Sequence, residues 1–313
     1  MSAVSTAQRR KSAPARQASV LYDAPGPIAR RRNVVLTVVF SLILLGVAYF
    51  VVVNMGEKGQ LAPEKWKPFT DPSTWTTFIL PGMVNTLSAA GVAAVLALVF
   101  GAVFGIARLS DHAWIRLPAG AVVEFFRAVP LLHLMFFAQY GASAVLGITV
   151  LSFQAVVFGL VLYNGSVLAE IVRAGIRSVP RGQSEAAFGI GLRKSQVMRM
   201  ILLPQAVTAM MPAIVSQLVV LLKDTALGTI IAYPELVTSG VRELDANFGN
   251  LIPAAIVVAI LFIIINMALS YLATWFEKRS RRSRKSSAAT LGPALAPPAP
   301  GMQEQQMTDR TEK

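Results

Sequence analysis

Lys223, Asp224 and Thr225 stand side by side inside a long apolar run, from Gln205 to Ala232. Charge inside hydrocarbon is costly and usually marks a pair or a pathway. In an outward-opening cavity, Lys223 meets the carboxylate of a small solute and Thr225 assists. The competing reading is structural: a Lys-Asp arrangement that satisfies neighbouring backbone, or snorkelling of Lys223 to the interface. Counting about 1.5 Å per residue from Pro204 sets Lys223 on the order of 28 Å up its helix, near the outer boundary. Pro212 is a site for a tilt or kink that lowers it. Three further polar residues sit in apolar runs. Asn164 suits a hydrogen bond between helices more than a ligand contact. Glu170 and Arg127, near the inner ends of their runs, either bond each other as anchors or line an inner gate. Asn164, Glu170, Lys223, Asp224 and Thr225 are the candidate solute pathway.

Other chemistry is poorly provided for. Cys is absent, and His112 and His133 are too few for a histidine cluster, so metal chemistry is not expected. There is no Gly-x4-Gly-Lys-Ser/Thr loop to cradle phosphates; the nearest string, Gly191-Leu192-Arg193-Lys194-Ser195, lacks the Gly before Lys. No Ser/His/Asp or paired-carboxylate arrangement suggests a hydrolase, and the eleven Met residues read as packing filler. The chain is expected to bind no cofactor and to catalyse nothing by itself.

The elements that must position these residues are membrane helices. Apolar residues make up 54% of the 313 and charged residues 14%, with a mean hydropathy of +0.57. Runs of about twenty apolar residues cross a hydrocarbon core roughly 30 Å thick. Six such runs are read at Asn33 to Val53, Leu80 to Ala107, Leu117 to Gln139, Leu151 to Ala169, Gln205 to Ala232 and Leu251 to Phe276. The expected fold is an all-α integral membrane protein. The first run is too long for a signal peptide and lacks a small-x-small cleavage site, so it is read as a retained helix. Residues 1–32 and 279–313, rich in Ala, Pro, Ser and Gln, read as disordered basic tails, and 54–79 as an external loop.

In a soluble chain the net charge of +13 would suggest nucleic acid; here its distribution points to membrane orientation instead. About 24 of the 29 basic residues fall on one side of the six-span alternation, which makes that side cytoplasmic, with both termini on it. The outer loops are mixed: Glu57, Glu64 and Asp71 against Lys58, Lys65 and Lys67, then Glu235, Glu243 and Asp245 against Arg242. Gly91, Gly101 and Gly105, with Ala93, Ala94, Ala97 and Ala102, allow close packing of the second span; Gly101 and Gly105 also form a weak Gly-x3-Gly dimer signal.

One cytoplasmic loop, residues 180–204, breaks the apolar pattern. Pro180 forces an extended entry, and a short helix starts near Gly182. Glu185 suits its N-terminal turns. Ala186 and Ala187 leave little side chain, so another surface can approach the backbone. Gly191 supplies the positive φ that ends the helix. A second, amphipathic helix follows, with Leu192, Val197, Met200, Ile201 and Leu203 on its apolar side, until Pro204 resets the direction at the bilayer. Physically, this elbow serves equally well as an interfacial helix held to anionic lipid.

The loop also reads Glu-Ala-Ala, three residues, Gly, nine residues, Ile, one residue, Leu-Pro. This resembles the full signature of bacterial ABC importer permeases, met by Glu185, Ala186, Ala187, Gly191, Ile201, Leu203 and Pro204. Asn85-Thr86-Leu87, Phe126-Arg127-Ala128-Val129-Pro130-Leu131-Leu132, Ala169-Glu170-Ile171-Val172-Arg173, Gly182-Gln183, Leu203-Pro204-Gln205-Ala206 and Leu222-Lys223-Asp224-Thr225-Ala226-Leu227 look like the polar amino-acid branch. The whole chain is similar to actinobacterial glutamate-importer permeases. Two departures are Asn164-Gly165-Ser166-Val167, in a place where the wider family often has a Tyr two residues before Ala-Glu, and Ser216, where many members have Asn.

The resemblance implies a type I importer: a five-helix permease domain over 80–278, preceded by an extra helix at 33–53. It implies that the elbow is the coupling helix, with Gly182 and Gln183 alongside the signature residues, docking on two copies of a separate ATPase. That partner uses ATP and Mg. It also implies a second permease half, identical or homologous, an extracellular solute-binding protein, and alternating access for a polar amino acid such as glutamate. An ion-coupled secondary transporter is the alternative, although the elbow signature has no evident use there.

Overall fold

The computed structural model describes residues 26–288. Among them every regular element is helical. Five helices are long and apolar enough to cross a membrane, and a sixth crossing is made if one bent pair counts as a single span.

α1 (Pro27–Glu57) belongs to a unit that ends at Gly59. Its helix starts earlier than Asn33 because Pro27 fits a first turn, where its missing N–H has no partner to lose. Arg30, Arg31 and Arg32 are therefore helical, not part of an unstructured tail. The remaining tail positions, 1–25 and 289–313, lie outside the described residues.

The second unit, from Gln60, contains α2 (Pro72–Ala107), α3 (Ala113–Ala128), α4 (Leu131–Leu146), α5 (Ser152–Arg177), α6 (Arg181–Gly189), α7 (Lys194–Ile231), α8 (Leu244–Phe248) and α9 (Leu251–Ala288). α2 reaches back into the expected loop 54–79 because Asp71 accepts the Ser73 N–H at 2.9 Å and caps the helix at Pro72. α9 runs on to Ala288, past the point where a disordered tail was expected at 279.

The expected straight span from Leu117 to Gln139 is instead two helices that turn by 100°. Val129 is extended (φ −81°, ψ 127°), as the residue before a proline should be, and the chain breaks there. Pro204 has the opposite outcome. It does not reset the chain: α7 runs through it, widening into a π-turn over Met198–Leu202. In an ordinary turn the proline ring would press on the preceding carbonyls; the wider turn moves them away.

α2 and α5 pack backbone to backbone. A Cβ at Gly101 would stand 2.6 Å from Leu168 Cβ, and one at Gly105 would stand 2.8 Å from the Ala169 carbonyl oxygen. The Gly-x3-Gly pair thus closes an interface within the chain. Ala89, Ala93 and Ala97 extend this seam into a core with Leu131, Met135, Leu160 and Leu168. A second cluster, Ile79, Leu236, Leu244 and Ala254, closes the end away from α6. A third, Val172, Ile176, Ala206 and Met210, lies at the end nearest α6.

Candidate functional site

The elbow is built as its residues suggest. Pro180 enters extended (ψ 133°) and α6 runs for nine residues. Gly191 holds φ +82°. Its N–H donates to the Phe188 carbonyl at 2.9 Å, and the Leu192 N–H donates to the Ala187 carbonyl at 3.1 Å. These two bonds form a Schellman closure, which needs a left-handed residue at the position Gly191 holds. Gly182, Gln183, Glu185 and Ala186 are exposed, whereas Ala187 is buried. The two alanines therefore differ: Ala186 leaves room for an approaching surface, and Ala187 faces inward where α6 packs on the first turns of α7.

Phe188 and Ile190, 49% and 79% exposed, form an apolar tip beyond Ala186 that the sequence reading passed over. The available signal was two large apolar residues in an otherwise polar loop. Ile201, Leu203 and Pro204 are half-buried at the foot of α7. Leu203, with Leu202 and Met198, packs on Val172, Ile176, Ala206 and Met210. The motif thus begins on the surface and ends in the core. Lys194, at the start of α7, forms an ion pair with Asp111 of the α2–α3 connection. The bond and charge of Lys194 hold the Asp111 carboxyl below its ordinary 3.8.

Above the elbow, Arg108 at the end of α2 donates to Glu170 at 2.8 Å and to Glu124 at 2.9 Å. Arg173 also bonds Glu170, while Arg127 comes no nearer to it than 3.9 Å. Glu170 is thus the shared anion of a cluster joining α2, α3 and α5. Arg108 is the residue that links Glu170 to α2 and α3.

Midway along α5, Asn164 is fully buried. It accepts from Gln217 at 2.6 Å and donates to Asp224 at 3.4 Å. Asp224 therefore faces α5, and no Lys223–Asp224 ion pair forms among the described residues. Lys223 is exposed and lines a groove of about 660 Å³ with Ala226, Val237, Val258, Phe262 and Asn266. Thr225 is elsewhere: it is fully buried and donates to its own helix at the Leu222 carbonyl, 2.6 Å away, so its expected part beside Lys223 finds no support in this geometry. Through its bond to Asn164, Asp224 stands level with the middle of α5.

At the far end, Asn85 and Thr86 of α2 hold the segment after α7. Asn85 Nδ2 donates to the Pro234 carbonyl at 2.8 Å, Tyr233 Oη donates to the Asn85 carbonyl at 2.9 Å, and the Leu236 N–H donates to Thr86 Oγ1 at 3.0 Å. Glu235, counted above as an outer-loop charge, is fully buried and accepts from the Val237 and Thr238 N–H groups, both at 2.8 Å. Burial pushes its carboxyl upward, and those two bonds oppose the shift. Among the described residues no group of three or more His, Asp or Glu is placed to hold a metal.

Comparison with known proteins gives this geometry a context. The family described as binding-protein-dependent transport system inner membrane component matches residues 97–282. The glutamate transport system permease protein GluD of Corynebacterium glutamicum is 46% identical over 237 residues, covering 74% of this chain and 86% of its own length. A probable glutamine ABC transporter permease protein of Bacillus subtilis is 33% identical over 204 residues, covering 64% and 93%. Among solved structures, an amino acid ABC transporter crystallised with histidines aligns with a TM-score of 0.60 at 27% identity, covering 64% of this chain and 92% of that one.

Proposed function

This chain belongs to the family of binding-protein-dependent transport system inner membrane components, and from that premise we propose that it carries glutamate through the membrane as one permease half of an ATP-driven importer. It is a non-catalytic membrane component. The proposal for glutamate rests on the likeness to the Corynebacterium glutamate permease. The mechanism rests on one observation: a single helix, α7, carries the foot of the elbow at one end and Lys223 near the other.

In this reading α6 lies in the cytoplasm and docks on the ATPase through Gly182, Gln183, Glu185, Ala186 and the apolar tip of Phe188 and Ile190. Ala187, Gly191, Ile201, Leu203 and Pro204 keep that surface rigidly joined to α7. Two ATPase copies use ATP and Mg, a second permease half completes the pathway, and an extracellular binding protein delivers the solute. Both termini are cytoplasmic if α3 and α4 together cross once. The permease module occupies 80–278.

Lys223 supports a pathway because an ammonium inside a membrane-spanning helix, with no ion pair among the described residues, is not stable against lipid. Its groove is better filled by water, solute or the second half, and the ammonium is suited to a substrate carboxylate. Asn164, itself held by Gln217, keeps Asp224 against α5. Glu170 serves as the inner anchor, with Arg108 and Arg173 neutralising it. Thr225 supports the helix from within.

Reconstitution with the ATPase, second half and binding protein in proteoliposomes tests this. ATP-dependent uptake of labelled glutamate is expected, with weaker competition by glutamine. Absence of ATP-dependent uptake of any amino acid overturns the importer reading, and uptake confined to another amino acid overturns glutamate.

A further inference from the structure

Residues 60–71 precede α2 and the stretch that the family matches, 97–282, and none of the roles above uses them. They nevertheless make a built contact at the end of the bundle away from α6. Lys65 Nζ donates to the Gly249 carbonyl. Asn250, fully buried, donates back to the Lys65 carbonyl at 3.4 Å. Gly249 holds φ +59°, the left-handed turn that ends α8, and a Cβ there would stand 3.3 Å from Lys65 Nζ.

Aromatic packing surrounds this tether. Phe69 and Trp75 lie on the cluster of Ile79, Leu236, Leu244 and Ala254. Trp75 Nε1 donates to the Phe69 carbonyl at 2.9 Å, and Phe78 meets Phe248 edge-on with centroids 6.4 Å apart. Ile79 belongs to α2 and Ala254 to α9, so the segment touches the ends of two spans as well as α8 between them.

We propose that Lys65 is a positioning residue, and that residues 60–71 are a strut making the far ends of α2, α8 and α9 one body throughout transport. The proposal rests on the permease reading. Alternating access requires some span ends to separate at that face, but close-packed elements that share a buried cluster and a charge-assisted bond move together. Ala232 holds φ +56°, the one left-handed residue other than glycine among the described residues, and turns the chain from α7 into the segment that Asn85 and Thr86 of α2 hold.

The chain has no cysteine, so paired thiols can be introduced without background from it. Lys65→Cys with Asn247→Cys, bridged by a short reducible bis-thiosulfonate in the assembled importer, should not lower ATP-driven glutamate uptake below that of the unbridged double variant. A loss of about tenfold or more, reversed by reductant, overturns the one-body proposal. Lys65→Met should lower uptake per ATP hydrolysed by about fivefold with assembly unchanged, and Lys65→Arg should restore it. An unchanged ratio in Lys65→Met overturns the positioning role. Wild-type uptake in the same vesicles separates the two ideas: if it is absent, the permease reading has failed and the strut falls with it.

Discussion

Arg108 donates to Glu170 across 2.8 Å, tying the end of α2 to the middle of a charged cluster on α5. Arg108 is 9% exposed, and Glu170 keeps Arg173 if Arg108 is lost. Arg108→Met should therefore cost about 1–3 kcal/mol, less than stranding a wholly unpaired buried charge. Thermal unfolding in detergent should show a clear drop for Arg108→Met and a much smaller one for Arg127→Met. Equal drops would mean that the 3.9 Å approach of Arg127 matters as much as the direct bond.

The α2–α5 seam predicts opposite outcomes for two glycines on one helix. Gly101→Ala places a methyl 2.6 Å from Leu168 Cβ, whereas Gly91 has nothing within 4 Å. The first should destabilise by about 1–3 kcal/mol through overpacking. The second should be neutral or gain up to about 1 kcal/mol of helix propensity. Unfolding midpoints that move together would contradict the packing described.

At the elbow, Gly191→Ala forces a side chain into φ +82°, a strain of about 1–2 kcal/mol confined to the closure of α6. Glu185→Ala and Phe188→Ser change the exposed face without touching that closure. All three variants should insert normally and lose ATPase association, measured by co-purification, together with uptake. Normal association and uptake in the Gly191 and Glu185 variants would refute the coupling role.

Lys223→Ala removes the ammonium from the groove and leaves Asp224 on Asn164. Uptake should fall by about tenfold or more while the unfolding midpoint barely changes, and Lys223→Arg should retain part of the activity. If uptake and substrate affinity survive in Lys223→Ala, the pathway lies elsewhere.

Glu235 gives a pH dependence of defined sign. Burial raises its carboxyl above the ordinary 4.5, so the folded chain holds that proton more tightly than the unfolded one. The stability it contributes is complete below 4.5 and is lost as pH rises through the raised folded value. Glu235→Gln does not titrate. With increasing pH above 4.5 the wild-type midpoint should fall relative to that variant; parallel curves would contradict the burial argument.

Much of this was legible because hydrocarbon leaves the chain few options. Long apolar runs had to be helices, and Gly191, ten residues before Ile201, could be read as a reversal from its type and place. Pro204 was misread because a proline signals a break only where the helix cannot widen, and the π-turn at Met198–Leu202 depends on what α7 packs against. The same dependence on partners hid Arg108 and Glu235. A charge near the end of an apolar run looks solvated until another helix covers it, and sequence alone does not say which helix will. Thr225 failed for a simpler reason: its neighbours in sequence point to different sides of α7.

The unbroken length of α7 makes it a lever. Thirty-eight residues at about 1.5 Å each give a rod of roughly 57 Å, with Lys223 some 44 Å from the end that the elbow holds. A tilt of about 5° at that end sweeps Lys223 through roughly 4 Å, more than the reach of a hydrogen bond. On the proposed pathway, a wobble too small to open a gap at the elbow is then enough to take the ammonium off a bound carboxylate.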